Sequence, residues 1–322
     1  MKLLVFGAGV IGTLHAWAFE HAGHSVSLLV RPGHEERWRN GINLQLLDAR
    51  GGHEQEVGTL YRPHVVTSFT ADDGYDVVIS AVRYSQTEDV LPELVANLGE
   101  AILLLFSNNW QGLDAIDRLL PKGRYVLGLP VAGGAIANDV LDGALQGRVV
   151  LGSSTSGQPT PPDVEAAAGK SLDVVADLFS STGFEPDIQS NMEHSYWVHF
   201  ASTAAYTAAA AKAGGFPAFA HSSRAIREAL AAGREAMEIC RARGVDVGKV
   251  EEARPFLSSP LVTAPFVRRV ITRDVTTRTA QTRPEYAPEF RRIYHDVVET
   301  GRQLKVPTPH LDAYGPYVDT AG

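Results

Sequence analysis

The chain has a single cysteine, Cys240, in 322 residues. An intrachain disulfide is therefore excluded, and so is a zinc site built on cysteines. No apolar stretch approaches the ~20 residues of a helical membrane span. Basic residues are in deficit, 29 against 37 acids, for a net charge of −8 and an isoelectric point near 5.8. With that balance nucleic acid is not the expected partner, and neither a membrane nor a metal is expected. Internal repeats are absent, and the alanine tract at 208–211 is too short to be low-complexity sequence. The first strand is expected to start at residue 2, which leaves no room for a signal peptide, so a cytoplasmic location is expected. What is present is ordinary for a soluble globular chain: 44% hydrophobic and 20% charged residues, with length enough for two domains.

The informative stretch is the start. Leu3–Phe6 reads as a buried strand, followed by Gly7-Ala8-Gly9-Val10-Ile11-Gly12 and a helix over Thr13–Ala22. A Gly-x-Gly-x-x-Gly turn between a strand and a helix gives each glycine a separate task. Gly7 makes the tight turn, Gly9 lets the backbone approach a pyrophosphate, and Gly12 lets the helix pack on the sheet. The helix start offers N–H groups and a positive dipole end to phosphate. A dinucleotide-binding βαβ unit follows, with Gly7, Ala8, Gly9, Val10, Ile11 and Gly12 at the cofactor.

Arg31 narrows the choice of cofactor. An NAD site places a carboxylate at the end of the second strand, here Val26–Val30, to hold the ribose hydroxyls. This chain reads Val30-Arg31-Pro32-Gly33-His34 instead. A planar guanidinium suits a 2′-phosphate, so NADP(H) is the expected cofactor. The competing reading makes Arg31 a solvated loop charge and sends Glu35 or Glu36 to the ribose from beyond the Pro32-Gly33 break.

Strand and helix signals alternate up to about residue 190. Asp76–Val82, Ala101–Phe106, Tyr125–Leu129, Val149–Leu151 and Phe184–Ile188 read as strands. Thr87–Leu98, Gln111–Leu120 and Asp163–Ser181 read as helices, and Ser153–Pro162 as a surface loop. Alternation of this kind predicts a doubly wound, mostly parallel sheet of Rossmann type. After Ser190 the strand signals stop. Glu193–Ala211, Ser223–Arg243 and Pro288–Leu304 have helical spacing, with serine, glycine and proline at their ends. The reading is an α/β chain with an NADP-binding domain at 1–190 and an all-helical substrate and dimerisation domain at 191–322.

Two segments leave strand ends at the sheet edge where ligands bind in such folds: Ala81-Val82-Arg83-Tyr84-Ser85-Gln86-Thr87-Glu88-Asp89 and Phe106-Ser107-Asn108-Asn109. At these residues the chain resembles the ketopantoate reductase family of NADPH-dependent 2-oxo-acid reductases. Members read Ala-Val-Lys-x-x-Gln-Thr-Glu-Asp and Gln-Asn-Gly at these places. The resemblance runs through Trp197 to Leu304-Lys305-Val306-Pro307-Thr308-Pro309, strong in the first domain and thin in the second. It implies that Arg83 lies near the cofactor, Asn108 beside the nicotinamide and substrate, and Gln86 in the same cleft. From the residues alone, Arg83 is equally a surface charge and Asn108 a turn former.

In the second domain the family has Trp-x-Lys-x-x-x-Asn-x-x-x-Asn, with the lysine donating a proton to the carbonyl under reduction. This chain has Trp197, His199, Thr203 and Thr207 at those positions. Residues 199, 203 and 207 fall on one helical face, otherwise mostly alanine and aromatic, and such a stripe must meet water or a polar cavity. Histidine is suited to the same proton transfer because it titrates near neutrality. The alternative is a partly buried structural histidine. Tyr206 is a further substrate contact or acid, and Glu289 aligns with the family's substrate-binding glutamate, although a carboxylate is also favoured in any first helical turn. Arg268, Arg269, Arg273, Arg278 and Arg283 cluster upstream of it, either around an anionic or bulky substrate or against the acidic remainder of the protein.

These readings imply a reductase using NADPH on a small carbonyl (2-oxo acid or ketone) or imine in an interdomain cleft, with ketopantoate itself not expected, and a homodimer. The second reading is an NADP(H)-binding protein that no longer transfers hydride.

Overall fold

The computed structural model describes residues 1–107, 109–273 and 287–320. Ten strands form one sheet: β1 (Lys2–Phe6), β2 (Ser25–Leu29), β3 (Ile42–Ala49), β4 (Gln55–Tyr61), β5 (His64–Val66), β6 (Val77–Ser80), β7 (Ile102–Leu105), β8 (Tyr125–Ala137), β9 (Val140–Ser153) and β10 (Glu185–Ile188). The order is β4-β3-β9-β8-β7-β6-β1-β2-β5, and β10 also pairs with β9. Pairing is parallel except between β3 and β4 and between β8 and β9. Strand β1 pairs with β2 on one side and β6 on the other. The chain reverses its winding between β1 and β6, which puts the ligand-binding crevice of this topology at their carboxyl ends.

The chain divides into two compact units, one of Met1–Ser107 and Gly112–Met192, the other of Asn108–Gln111 and Glu193–Gly322. The first holds the sheet with α1 (Val10–His21), α2 (Glu35–Asn40), α3 (Thr87–Asn97), α4 (Asp114–Asp117) and α5 (Pro162–Ser181). Leu14, Ala18, Val175, Leu178 and Phe179, from α1 and α5, join the apolar strand residues in one core.

Three local readings are corrected here. The sequence signals no strand over residues 140–148, yet β8 and β9 form a long antiparallel hairpin. Its turn is Asn138-Asp139, with φ of 51° and 59°, the geometry that matches strand twist in tight hairpins. Pro130 and the glycines of β8 hid the strand, and a register shift between Pro130 and Ala132 accommodates them. The helix expected over 111–120 shrinks to α4. The segment 153–162 is not wholly a surface loop: Ser154, Thr155 and Ser156 are buried, and Ser154 Oγ accepts a hydrogen bond from the Gly123 amide at 2.8 Å.

The second unit contains α6 (Met192–Ala213, entered from the first unit), α7 (Phe216–His221), α8 (Ser223–Ala242), α9 (Arg254–Leu257), α10 (Pro260–Arg273), α11 (Ala287–Gln303), α12 (Pro309–Asp312) and α13 (Gly315–Thr320). Helix α6 is apolar on most sides and buries Val198, Phe200, Ala201, Ala204, Ala205 and Ala208, as a helix surrounded by others must. Helix α8 starts at Ser222, whose hydroxyl accepts from the Ala225 amide. None of the described helices is long and apolar enough to cross a membrane.

His15 on α1 is a buried polar group with a stability consequence. Its ring stacks on Phe184 at 5.6 Å and meets Phe106 edge-on at 5.0 Å, while Nδ1 donates to the Ile11 carbonyl at 2.8 Å. Burial pushes its pKa down to about 4, against the raising effect of that hydrogen bond and with a smaller lowering by Arg50. The unfolded chain takes up a proton near pH 6.5 that the folded chain refuses until about pH 4. Stability should therefore fall by about 3 kcal/mol as pH drops through that window. Denaturant melts of wild type and His15→Leu across pH 4–7 test this. The variant loses packing but should be flatter with pH, and parallel curves would exclude His15 as the cause.

Candidate active site

The strand–turn–helix at residues 2–21 is built as its glycines require. Gly7 has φ of +116°, and a Cβ there would lie 2.9 Å from the Ala81 carbonyl oxygen, at the start of the segment leaving β6. A Cβ on Gly12 would lie 1.9 Å from the Gly7 carbonyl oxygen. At Gly9 nothing lies within 4 Å of where a Cβ would be. Gly9 is also the N-cap of α1, and no side chain caps that helix start. The first-turn amides of α1 thus point past a bare backbone toward open space, which fits the pyrophosphate of a dinucleotide.

Arg31 follows β2, and its exposed guanidinium forms no ion pair among the described residues. Glu35 and Glu36, the alternative ribose ligands, occupy the first turn of α2. Arg83 is exposed at the turn after β6, and its carbonyl accepts hydrogen bonds from the Gln86 amide at 2.9 Å and from Thr87 Oγ1 at 3.3 Å. Gln86 is half-buried at the start of α3. Asn108 lies outside the described residues.

In the helical unit, His199 is not alone. Its Nδ1 donates to both carboxylate oxygens of Glu252, at 3.0 and 3.1 Å. Ser202 Oγ donates to the same carboxylate at 2.6 Å. The His199 side chain is 38% exposed, and Nε2 has no partner among the described residues. Desolvation works against the charged ring, but the charge of Glu252 and its hydrogen bond outweigh it and raise the pKa above the usual histidine value. With Nδ1–H held by the carboxylate, Nε2 is the nitrogen that gains and loses the exchangeable proton.

Tyr206 lies on the same side of α6. Its ring packs against Phe256 at 5.4 Å, and burial together with Glu252 keeps the phenol protonated. The polar stripe is therefore His199, Ser202 and Tyr206, at i, i+3 and i+7, gathered by Glu252. Thr203 and Thr207, expected to share the stripe, are half-buried and partly tied to their own helix: Thr207 Oγ1 donates to the Thr203 carbonyl at 2.7 Å. Ser202 was readable from the spacing. Glu252 was not, because it lies 53 residues away in a short 3-10 turn after α8.

Glu289 is half-buried in the first turn of α11. Arg268, Arg269 and Arg273 are exposed on α10. Arg268 reaches only Ser223 Oγ, at 3.4 Å, so these arginines pair with no acid among the described residues. Arg278 and Arg283 lie outside the described residues. The Cys240 thiol is buried, and burial pushes its pKa up to about 12, against smaller lowering effects of Arg243 and Arg241. It is no nucleophile. Among the described residues no group of three or more histidine, cysteine, aspartate and glutamate side chains is arranged to hold a metal.

Comparison with known proteins agrees with this architecture. Residues 3–155 match the family model described as ketopantoate reductase PanE/ApbA. No curated protein matches by sequence. Among solved structures, a PanE/ApbA family ketopantoate reductase from Ralstonia eutropha JMP134 aligns at a TM-score of 0.70 and 18% identity, over 99% of this chain and 97% of its own. D-mandelate dehydrogenase in a ternary complex with NADH and anilino(oxo)acetate aligns at 0.69 and 14%, over 100% and 98%. A dimeric ketopantoate reductase from Staphylococcus aureus aligns at 0.63 and 14%, over 100% and 98%. At these identities the structural matches establish the fold, while the family model establishes the first 155 residues. Residues 3–155 thus carry the ketopantoate reductase (PanE/ApbA) domain, and the whole chain has the fold of the ketopantoate reductases to which it is similar.

Proposed function

We propose that the protein is an NADPH-dependent reductase of a small carbonyl or imine compound other than ketopantoate. The observation that carries the reading is the open backbone at Gly9 beside the uncapped start of α1. Residues 7–12 would hold the pyrophosphate and Arg31 the 2′-phosphate, with Arg83 and Gln86 further along the same sheet edge, and Asn108 would contact the nicotinamide and substrate. When bound, the cofactor supplies the hydride.

The helical unit supplies the proton. Glu252 fixes the His199 ring through Nδ1 and raises its pKa, and Nε2 in the protonated ring donates to the oxygen or nitrogen of the reduced double bond. Thr203, Tyr206, Thr207 and Glu289 contact the substrate. A dimer belongs to the same reading, since the Staphylococcus aureus reductase is dimeric, and light scattering in solution tests it.

NADPH oxidation against panels of ketones, 2-oxo acids and imines tests the activity. Tight NADPH binding without turnover of any substrate, or of any alcohol in reverse, would overturn it.

Arg31 provides a separate check on the cofactor. D-mandelate dehydrogenase was crystallised with NADH, whereas a guanidinium after β2 selects the phosphorylated form. Arg31→Ala should weaken NADPH binding by about 1.5–3 kcal/mol, the range for a charge-assisted hydrogen bond, and leave NADH nearly unchanged. Titration calorimetry with both cofactors decides the matter, and equal losses would remove Arg31 from this role.

A further inference from the structure

Helix α10 is apolar on two sides, and the described residues of its own unit cover only one of them. Ala264 and Val267 are buried, on the side by which α10 packs against α8, α7 and α9. A surface helix with that single duty carries polar residues elsewhere. Here Leu261, Val262, Phe266 and Val270 are instead 74%, 75%, 64% and 49% exposed. Val262, Phe266 and Val270 stand at i, i+4 and i+8, along one face, with Leu261 at its edge. Leu257, at the end of α9, is exposed as well.

Exposed apolar side chains scattered singly need no explanation, whereas a contiguous group does. Of the eleven large apolar side chains exposed among the described residues, five fall within residues 257–270. Together they present on the order of 500 Å² of apolar surface, the size of the largest and often functional patches on monomeric proteins. The face changes character along its length. Toward the carboxyl end of α10 it continues into the exposed Arg269 and Arg273, and Arg268 is exposed beside them.

We propose that this face of α10, with the end of α9, is the surface through which two copies of the chain associate. The inference rests on the dimer that accompanies the reductase reading, and it names the residues that hold that dimer. Two such patches face to face bury about 1,000 Å², the size at which an interface becomes specific. Charge fits the same arrangement. A two-fold axis near Val262 lays the apolar halves of two antiparallel α10 helices together. It sends Arg268, Arg269 and Arg273 of each copy to opposite ends, so like charges do not meet. An apolar stripe edged by arginine also suits an anionic membrane, but a net charge of −8 repels the chain from one.

Light scattering and sedimentation equilibrium on the full chain, over a wide range of concentration, test the surface. Wild type should approach twice the 34.7 kDa chain mass. Phe266→Glu should raise the dissociation constant at least about thirtyfold, the effect of losing a central aromatic anchor. Because Phe266 is mostly exposed, the circular dichroism of the variant should match wild type. Cross-linking gives a second readout. Cys240 is buried and its thiol pKa is pushed up to about 12, so a cysteine introduced at position 262 is the one reactive thiol. A short bis-maleimide should join Val262→Cys to its twin, and adding Phe266→Glu to that variant should abolish the link.

A dimer that survives Phe266→Glu, or a Val262→Cys dimer that does not cross-link, overturns this surface and leaves the dimer to another face. A wild type that stays monomeric throughout removes the dimer and the surface together. If that monomer binds phosphatidylserine vesicles and Phe266→Glu does not, the face is a membrane contact and the inference is overturned in favour of that partner. None of these outcomes bears on turnover, so the reductase reading stands or falls by its own assay.

Discussion

Replacing His199 with alanine is expected to lower turnover by ~10²–10⁴-fold, the usual contribution of a positioned general acid, with NADPH affinity nearly unchanged. The argument is geometric first. Nδ1 is fixed by two contacts to Glu252, so the ring cannot turn freely, and Nε2 is left as the donor. The pH dependence supplies an independent signature. Only the protonated ring donates, so activity is present below its pKa and is lost as pH rises through it. Because Glu252 raises that pKa, the basic limb should lie above the ordinary value near 6.5. Glu252→Gln removes the charge, so the limb should move to lower pH and activity at neutral pH should fall. Steady-state rates from pH 5 to 9 for the three proteins decide it. Near-full activity in His199→Ala, or a limb that Glu252→Gln does not move, would transfer the acid role to Tyr206, Glu289 or water.

What was legible in the sequence followed from the range of the forces involved. The glycine loop could be read because each glycine answers a local demand: a positive φ at 7, open approach at 9, contact with the Gly7 carbonyl at 12. The position of Arg31 after β2 could be read because it is counted along one βαβ unit, and its role toward the cofactor is what the calorimetric titration tests. The helical unit was legible as helices, because burial on nearly all sides of α6 requires its run of alanine and aromatic residues. Two features were not. The β8–β9 hairpin is held by pairing across strands, which outweighs the proline and glycines that weaken it locally, and only Asn138-Asp139 marked the turn. Glu252 meets His199 through tertiary packing of the turn after α8 against α6, and no spacing rule reaches across 53 residues. The departure from the family pattern was visible at His199, whereas the carboxylate that binds its ring was not.

Alanine at Gly12 and alanine at Gly9 should fail in opposite ways, although the two positions lie three residues apart. At Gly12 the added Cβ would sit 1.9 Å from the Gly7 carbonyl oxygen and 3.1 Å from Val5 Cγ1. The oxygen belongs to the turn out of β1 and cannot retreat without pulling α1 off the sheet. Gly12→Ala should cost about 2–4 kcal/mol and lower the melting temperature by about 5–12 °C, with cofactor binding lost alongside. At Gly9 the backbone has a φ of −88° that alanine adopts readily, and no atom lies within 4 Å of the new Cβ. The fold should therefore be untouched and the melting curve unchanged. The Cβ instead occupies the approach to the first-turn amides of α1, so NADPH affinity should fall at least about tenfold, or 1.4 kcal/mol. Thermal melts and cofactor titrations on the same two variants separate packing from binding. A Gly9→Ala protein that binds NADPH like wild type would show that the pyrophosphate does not lie against this turn, and the cofactor site would have to be sought elsewhere along the sheet edge.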